Sequence, residues 1–155
     1  YSEAYWKIQR ATDIGAFVIS EKAAAVLTEL QKRPKLDWDE NPMWEVYEQH
    51  DANGALMLVT LRENGALVGY FIGFVYPGLH YRDCLTLTMD IFFTVPQVRG
   101  KTAALRLFRA VEKEAKSRGV QRVFFGSKNH RDSSRLFKAL GYTPVETWHS
   151  KWIGD

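Results

Sequence analysis

Two strand-like runs joined by Asn64-Gly65 constrain the fold of this chain more than any other feature. Residues 55–62 (ALMLVTLR) and 67–76 (LVGYFIGFVY) are rich in β-branched and aromatic residues, and only Glu63-Asn64-Gly65-Ala66 separates them. Asn and Gly tolerate the two positive φ angles of a type I′ turn. The sequence therefore predicts a β-hairpin, so at least part of the chain is an antiparallel sheet.

Helices and strands alternate around this hairpin. Residues 1–14 allow a short first strand, and the Ala/Leu-rich residues 14–31 predict a helix that ends before Pro34. A shorter helix is predicted over Pro42–Gln49 with Asn41 as its N-cap. After the hairpin the pattern predicts a strand over 85–95, a helix to about Arg118, a strand over 120–125, a helix over 132–140 and a strand over 147–153. The fold class is therefore α/β, with an antiparallel meander leading into a βαβ unit.

Length and composition bound the class of protein. The chain has 155 residues, of which 46% are apolar, and this fits one domain with its own core. A single cysteine, Cys84, argues against a disulfide framework and favours a reducing cytoplasm. Glu21 and Lys22 interrupt the longest apolar stretch, so we expect no membrane span and no signal peptide. The chain begins at Tyr1, so we expect at least an initiator methionine to precede it.

Charge separates along the chain. Residues 1–96 hold 8 basic and 13 acidic side chains, a net charge of −5, whereas residues 97–155 hold 13 basic and 5 acidic side chains, a net charge of +8. This asymmetry predicts an anionic ligand on the C-terminal half and a cationic one on the other half, unless both are ordinary solvated surfaces. The overall charge of +3 does not favour nucleic acid as a partner.

The junction between the strand over 85–95 and the next helix predicts an anion site. The first N–H groups of a helix have no intrahelical partner, and the helix dipole favours negative charge there. Gly100, Ala103 and Ala104 leave these amides accessible, and Arg99 and Lys101 add positive charge. A phosphate or diphosphate is the natural guest, although an ordinary turn with surface cations has the same spacing.

A nucleotide-binding P-loop is a poor explanation of the same residues. Gly100-Lys101-Thr102 matches the end of G-x-x-x-x-G-K-[ST], but the leading glycine would fall at Val95. The strands before it also look antiparallel, unlike the parallel sheet of such enzymes.

The stretch from Val95 to Phe108 resembles motif A of the GNAT superfamily, the acyl-CoA-dependent N-acyltransferases, with the signature [RQ]-x-x-G-x-[GA]. Arg99 takes the first place and Ala104 the last, whereas Thr102 stands where the family usually has glycine. Residues 132–142 (DSSRLFKALGY) resemble the closing helix of that family and its Leu-Gly-[FY] ending. The Pro77–Arg82 segment and the Ser150-Lys151-Trp152 ending further resemble GNAT-like proteins encoded by tailed bacteriophages, which implies a bacterial host cytoplasm.

The resemblance implies a mixed sheet, flanking helices and acetyl-CoA seated where two central strands splay apart. The diphosphate would lie on the backbone amides of residues 99–104, and the pantetheine would pair with the backbone of residues 93–95. The residues implied in cofactor binding are Phe93, Thr94, Val95, Arg99, Gly100, Lys101, Thr102, Ala103, Ala104 and Phe137.

Amine acetylation needs a proton acceptor, because only about one in 10³ lysine-like amines is neutral at pH 7. Asp90 aligns with the place where many GNAT proteins carry a glutamate, and we expect it to be buried because it lies in an apolar run. A structural partner for an arginine is the alternative role of Asp90. His80 is the alternative base, unless it is a surface residue of its loop.

The leaving-group acid of the family is a tyrosine in the last helix, and here that position is Phe137. Tyr142 and Tyr81 are the candidates that remain for this role. A thiol with a pKa of about 8.5 also leaves as the thiolate without an acid. The absence of the usual acid lowers the expected efficiency of an acetyltransferase.

The segment over 37–51 would shape the acceptor pocket in this family. It combines acidic residues with Trp38, Trp44 and Tyr47, a lining that suits a cationic amine, although core packing explains such rings equally well. The His and Cys residues show no metal-ligand spacing, so no metal is expected.

We therefore interpret residues 1–155 as one acetyltransferase-like domain, with a helical acceptor-side segment over 1–54 and an acetyl-CoA-binding core over 55–155. The acceptor is a small-molecule or protein amine. A non-catalytic acyl-CoA-binding or inhibitor module is the alternative, and a nucleic-acid-contacting protein is a third. The sequence leaves a homodimer open.

Overall fold

A six-stranded sheet organises the described part of the chain. The computed structural model describes residues 5–7, 16–19, 22–33, 42–78, 81–99 and 102–155, with the backbone alone for 5–7, 16–19 and 81. In chain order the elements are β1 (Tyr5–Lys7), β2 (Ala16–Ile19), α1 (Ala23–Gln31), α2 (Trp44–Ala52), β3 (Leu56–Glu63), β4 (Ala66–Gly78), β5 (Tyr81–Thr94), a 3-10 turn (Pro96–Val98), α3 (Ala103–Ser117), β6 (Arg122–Phe124) and α4 (Ser134–Ala139).

The six strands lie side by side in chain order. β1 to β5 pair with their neighbours in antiparallel fashion, and β6 pairs with β5 in parallel after the crossover through α3. The predicted mixed, mostly antiparallel sheet with a βαβ unit is confirmed. The β3–β4 turn is confirmed too, because Asn64 and Gly65 have φ values of 50° and 83°, as a type I′ turn requires.

Helices cover both faces of the sheet. Leu107, Phe108 and Val111 of α3 are fully buried in a cluster with inward-facing residues of β3, β4 and β5. Val26, Leu27 and Leu30 of α1 are buried in a second cluster on the opposite face. Burying one such large apolar side chain stabilises the fold by about 1.5–3 kcal/mol, so these two clusters fix how the helices sit on the sheet.

The predicted helix over 14–31 is wrong in its first part. Residues Ala16–Ile19 form β2, with Phe17 opposite Leu61 and Val18 opposite Thr60 of β3, and the helix begins only at Ala23. The run Phe17-Val18-Ile19 suits a pleated strand, and its partner strand lies about forty residues further on, beyond the reach of a local pattern. The segment over 1–54 is therefore not helical throughout.

One further helix has different bounds from the prediction, and one predicted strand is missing. The helix expected over Pro42–Gln49 runs from Trp44 to Ala52 with Met43 at the N-cap position, and Asn41 lies outside the described residues. The strand expected over 147–153 is absent, and these residues form neither helix nor strand. That stretch has strand-like composition, but it pairs with none of the strands in the described part of the chain.

Candidate functional site

The pairing between β5 and β6 stops about halfway along β5. Pairing joins Thr86, Leu87 and Thr88 to residues 122–124, and β6 then ends while β5 continues to Thr94. Within the described residues, the outer edge of β5 from Met89 onwards therefore has no strand beside it. This gap corresponds to the predicted splay between the two central strands.

A β-bulge at Asp90 changes the direction of the strand at the same place. Gly73 lies opposite Met89 and Ile72 lies opposite Ile91, so Asp90 is an extra residue without a partner on β4. The bulge also reverses the alternation of side chains. Met89 packs on the α3 side of the sheet, whereas Ile91 packs on the α1 side. Asp90 thus turns towards the face that carries α1 and α2.

The backbone of β5 beyond the bulge offers hydrogen-bonding groups to the gap. The N–H of Val95 donates to the carbonyl oxygen of Val68 at 2.9 Å, which directs Val95 and, by alternation, Phe93 towards β4. Phe92 and Thr94 then direct their backbone groups to the open edge. The Nε–H of Arg99 donates to the carbonyl oxygen of Thr94 at 2.8 Å, in agreement with this alternation.

The first turn of α3 lies directly after β5 and the 3-10 turn. Val98 is buried in the core and anchors this connection. Thr102 occupies the N-cap position, but its side chain makes no capping hydrogen bond, and its carbonyl oxygen accepts the N–H of Arg106 at 3.0 Å. Among the described residues, the amides of the first turn thus have no side-chain cap. Ala103 is buried and Ala104 half-buried, so their small side chains do not cover those amides.

Arg99 lies against the sheet. Its guanidinium is 5.2 Å from the centre of the Phe93 ring, in addition to the bond with Thr94. Both contacts hold the end of β5 to the loop that leads into α3, so Arg99 fixes the relative position of the two backbone segments that carry the predicted cofactor contacts.

Two predicted residues from distant parts of the chain meet on the other face. The Tyr47 hydroxyl on α2 donates to Oδ2 of Asp90 at 2.5 Å. Burial, with the Asp90 carboxylate as second cause, raises the pKa of Tyr47 far above its usual range, so this phenol stays protonated and remains a donor. Asp90 itself is exposed, and the expectation that it is buried is wrong, because the bulge presents it at the surface beside α2.

Aromatic rings surround this pair. Tyr47 stacks on Phe74 with ring centres 5.9 Å apart, and Trp44 lies 6.1 Å from Tyr47. Both Trp44 and Tyr47 also pack against the buried cluster under α1. The acid-plus-aromatic character and the core-packing role predicted for this segment therefore coexist in the same two side chains.

His50 belongs to the same face of α2, and the sequence reasoning missed it. Its ring centre lies 4.5 Å from that of Phe74, and its Nδ1 donates to the backbone carbonyl oxygen of Val46 at 2.8 Å. This bond fixes the tautomer, so in the neutral ring Nε2 carries a lone pair and accepts hydrogen bonds. The predicted helix ended at Gln49, one residue before His50; with the observed end at Ala52, Tyr47 and His50 are three residues apart on the same helix face.

Phe137 and Tyr142 lie on the α3 side, in an aromatic cluster. Phe137 is buried, with its ring centre 5.2 Å from that of Phe108, and Tyr142 stacks on Phe125 at 4.7 Å. The Tyr142 hydroxyl donates to Oε2 of Glu112 at 3.1 Å. Burial and the Glu112 carboxylate raise the pKa of Tyr142 far above its usual range. The contacts of Tyr142 are therefore on the opposite side of the sheet from the contacts of Asp90.

Several predicted site residues lie outside the described residues. These are Trp38, His80, Gly100, Lys101 and the side chain of Tyr81. In the ranges that the structure covers, no group of three or more His, Cys, Asp or Glu side chains is arranged to hold a metal ion. No helix in those ranges has the length and hydropathy that crossing a membrane requires.

Comparison with known protein families gives a match over most of the chain. A model of the acetyltransferase (GNAT) family matches residues 23–142. A search of curated proteins gave no match.

Solved structures share the fold at low sequence identity. A predicted acetyltransferase with acetyl-CoA from Clostridium acetobutylicum has a TM-score of 0.66 and 16% identity, with coverage of 88% of this chain and 95% of its own. An aminoglycoside N-acetyltransferase in complex with CoA has a TM-score of 0.67 and 16% identity, over 83% and 89% of the two chains. Glucosamine-6-phosphate N-acetyltransferase from Arabidopsis thaliana has a TM-score of 0.63 and 13% identity, over 97% and 98%.

Proposed function

Because the chain belongs to the acetyltransferase (GNAT) family, we propose that it transfers an acetyl group from acetyl-CoA to a primary amine by direct attack in a ternary complex. The observation that carries this proposal is the gap where β6 ends and β5 continues to Thr94, next to the uncapped first turn of α3. A thin, extended ligand with an anionic end fits such a place. The solved structures with acetyl-CoA or CoA that share the fold support the choice of ligand.

The residues present fit this ligand. The first-turn amides at Ala103 and Ala104 would hold the diphosphate, because helix N-termini bind anions and neither side chain covers them. Thr102 replaces the usual glycine, but its exposed hydroxyl does not occupy the amides and can itself donate to a phosphate oxygen. The backbone groups of Phe92 and Thr94 face the open edge of β5 and would pair with the pantetheine amides, whereas those of Phe93 and Val95, also predicted as contacts, face β4. Gly100 and Lys101 stay predicted contacts.

Bound acetyl-CoA would supply the activated acyl group as a thioester. The chain's own task is to take a proton from the amine, since an ammonium group has no lone pair with which to attack. Asp90 is the proposed base. Tyr47 occupies Oδ2 and fixes the rotamer, so Oδ1 is the oxygen that takes the proton, directly or through one water. His80 stays the alternative base.

The leaving sulfur depends less on a general acid than the amine depends on a general base, because a thiolate is stable near neutral pH. Phe137 carries no hydroxyl, and the hydroxyl of Tyr142 already donates a hydrogen bond to Glu112. For Tyr142 to act as the acid, its hydroxyl has to break the hydrogen bond with Glu112 and donate to the sulfur instead. We therefore propose departure as thiolate, with the open amides of β5 available to stabilise negative charge on the thioester oxygen.

A cationic amine is the proposed acceptor class. Tyr47 and Trp44 offer ring faces, Asp90 offers negative charge, and Glu45 and Glu48 are exposed on the same helix. Cation–π attraction contributes about 0.5–1 kcal/mol at exposed sites, and the carboxylates add Coulomb attraction. The aminoglycoside N-acetyltransferase among the structures of the same fold supports a polyamine-like acceptor.

A non-catalytic acyl-CoA-binding module is the second candidate. The observation that favours it is Phe137, which is buried among rings where the family's acid usually stands. Such a module would bind acetyl-CoA without releasing the thiol.

Thiol release from acetyl-CoA in the presence of a panel of amines separates these candidates. We expect amine-dependent release by the full chain, slowed about 10²-fold or more by Asp90→Asn, because general-base catalysis contributes about that much. Asp83→Asn is the matched control, since it makes the same change at an exposed position of the same strand. Binding without release identifies the module, and absence of both binding and release refutes the proposal. An equal loss of binding and turnover in Asp90→Asn would show that the residue is structural.

A further inference from the structure

His50 lies beside the proposed amine site, the pair of Tyr47 and Asp90, but has no part in the proposed proton transfer. It is half-buried and follows Tyr47 by three residues on the same face of α2. The ring centres of His50 and Tyr47 lie 4.5 Å and 5.9 Å from that of Phe74, so they are at most about 10 Å apart. One phenyl ring thus holds both side chains in place.

The two nitrogens of the His50 ring have different surroundings. Nδ1 donates to the carbonyl oxygen of Val46 at 2.8 Å, so Nε2 carries the lone pair of the neutral ring. Among the described residues no group is hydrogen-bonded to Nε2, and this atom is open to solvent. Packing on Phe74 explains the ring and the bond to Val46 explains Nδ1, but neither gives Nε2 a function.

The charge around Nε2 favours a cationic hydrogen-bond donor. The helix Trp44–Ala52 exposes Glu45, Glu48 and Asp51 and contains no lysine or arginine. The Asp90 carboxylate lies at the far end of the Tyr47 side chain, whose hydroxyl donates to it at 2.5 Å. In such negative surroundings an ammonium group binds a lone pair more tightly than a neutral donor does, because Coulomb attraction adds to the hydrogen bond.

We propose that Nε2 of His50 binds a second ammonium group of the amine substrate, so that the preferred substrate is a diamine or polyamine rather than a monoamine. This inference rests on the proposed function, because it takes Asp90 as the place of the reacting amine. The first ammonium group gives its proton to Asp90, whereas the second stays protonated and donates an N–H to Nε2. His50 is thus a specificity-determining residue and Asp90 is the base.

The distances fit an extended alkyl chain between the two groups. With carbon–carbon bonds of about 1.5 Å, α,ω-diamines of four to eight carbons span roughly 6–11 Å between their nitrogens. This range includes the separation that the common contact with Phe74 allows for Tyr47 and His50. The stacked rings of Tyr47 and Phe74 lie between the two ends and offer an apolar surface to the methylene groups.

Calorimetry with the full chain and saturating coenzyme A tests the second contact without requiring turnover. The probes are the α,ω-diamines of four, six and eight carbons and the monoamines of the same lengths. We expect the wild-type protein to bind at least one diamine about 10-fold or more tighter than its monoamine, the lower end of what a hydrogen bond to a charged group contributes. His50→Phe keeps a ring against Phe74 and should lower the affinity for that diamine to about that of the monoamine. His50→Gln keeps a hydrogen-bond acceptor near the position of Nε2 and should retain part of the preference.

His149→Phe is the matched control, because it makes the same change at an exposed histidine outside the described helices and strands, and it should keep the diamine preference. A wild-type protein that prefers none of the diamines overturns the proposal. A preference that survives His50→Phe overturns it too, since attraction to the carboxylates of α2 alone would then explain the preference. Equal losses for diamine and monoamine in His50→Phe would show that His50 only supports the shape of the site, which also refutes the proposal.

Thiol release from acetyl-CoA with the same amines separates this inference from the proposed function. If the diamine preference depends on His50 but no amine causes thiol release, the second ammonium site stands and acetyl transfer is refuted. If monoamines cause release as readily as diamines and His50→Phe changes neither rate, acetyl transfer stands and the second ammonium site is refuted.

Discussion

Replacing Ala104 with glutamate separates the stability of α3 from its proposed ligand. Ala104 is the second residue of the helix and is half-buried, and it lies beside first-turn amides that no side chain caps among the described residues. A carboxylate in the first turn interacts favourably with the helix dipole, by about 0.3–1 kcal/mol. The lower helix propensity of glutamate offsets a few tenths of this. The free energy of unfolding should therefore stay the same or rise slightly.

The effect on ligand binding has the opposite sign. Two unit charges about 6 Å apart near a protein surface repel by roughly 3 kcal/mol at an effective dielectric constant of about 20. Salt screening reduces this, and the negative charge of a diphosphate exceeds one unit, so we expect a net loss of about 1.4–3 kcal/mol. The affinity for coenzyme A should fall about 10- to 100-fold.

Isothermal titration calorimetry with coenzyme A measures the affinity, and denaturant unfolding measures the stability. Ala139→Glu on the exposed surface of α4 is the matched control, since it makes the same change of side chain and charge away from the proposed site. Equal affinities of Ala104→Glu and Ala139→Glu would refute the placement of the diphosphate, provided that both variants fold.

Two further predictions concern single contacts. Tyr47→Phe removes the donor to Asp90 but keeps the ring stacked on Phe74, and we expect kcat to fall about 10- to 150-fold with unchanged coenzyme A affinity, because a hydrogen bond to a charged group contributes about 1.5–3 kcal/mol. Unchanged kcat would show that this hydroxyl does not position the base; Tyr76→Phe, on the same ring stack, is the control. Glu29→Gln removes the 2.7 Å ion pair with Arg62, which lowers the pKa of Glu29 from its ordinary value of 4.5. The pair stabilises the fold above that value and loses this effect in acid, so the variant should be less stable by up to about 1 kcal/mol at pH 7 and equal to wild type at low pH. A pH-independent difference in denaturant unfolding would contradict this.

Features that depend on neighbouring residues could be predicted from the sequence. The turn at Asn64-Gly65 follows from the two positive φ angles that these residues tolerate. The end of α3 is equally local, because Gly119 has a φ of 82° directly after the helix. The spacing of Leu107, Phe108 and Val111 indicated the buried face of that helix before any coordinates.

Features that depend on residues far apart in the chain could not be predicted from the sequence. β2 is a strand because β3 lies beside it, and its own apolar composition fits a helix as well. The bulge at Asp90 appears only when β5 is aligned with β4, and the bond from Tyr47 joins residues 43 positions apart. The sequence analysis thus named both Tyr47 and Asp90 as site residues, but it did not predict the hydrogen bond between them. The resemblance to phage-encoded proteins stays a prediction.

Amide hydrogen exchange with and without coenzyme A tests the central claim most directly. The claim is that the open edge of β5 and the first turn of α3 hold the ligand, so we expect slower exchange in peptides over 89–95 and 102–106. The turn over 117–121 lies at the opposite end of α3 and beside Leu85, near the start of β5, so it should exchange at the same rate in both conditions. Unchanged exchange over 89–95 and 102–106 at saturating ligand, or protection confined to other peptides, would contradict the account.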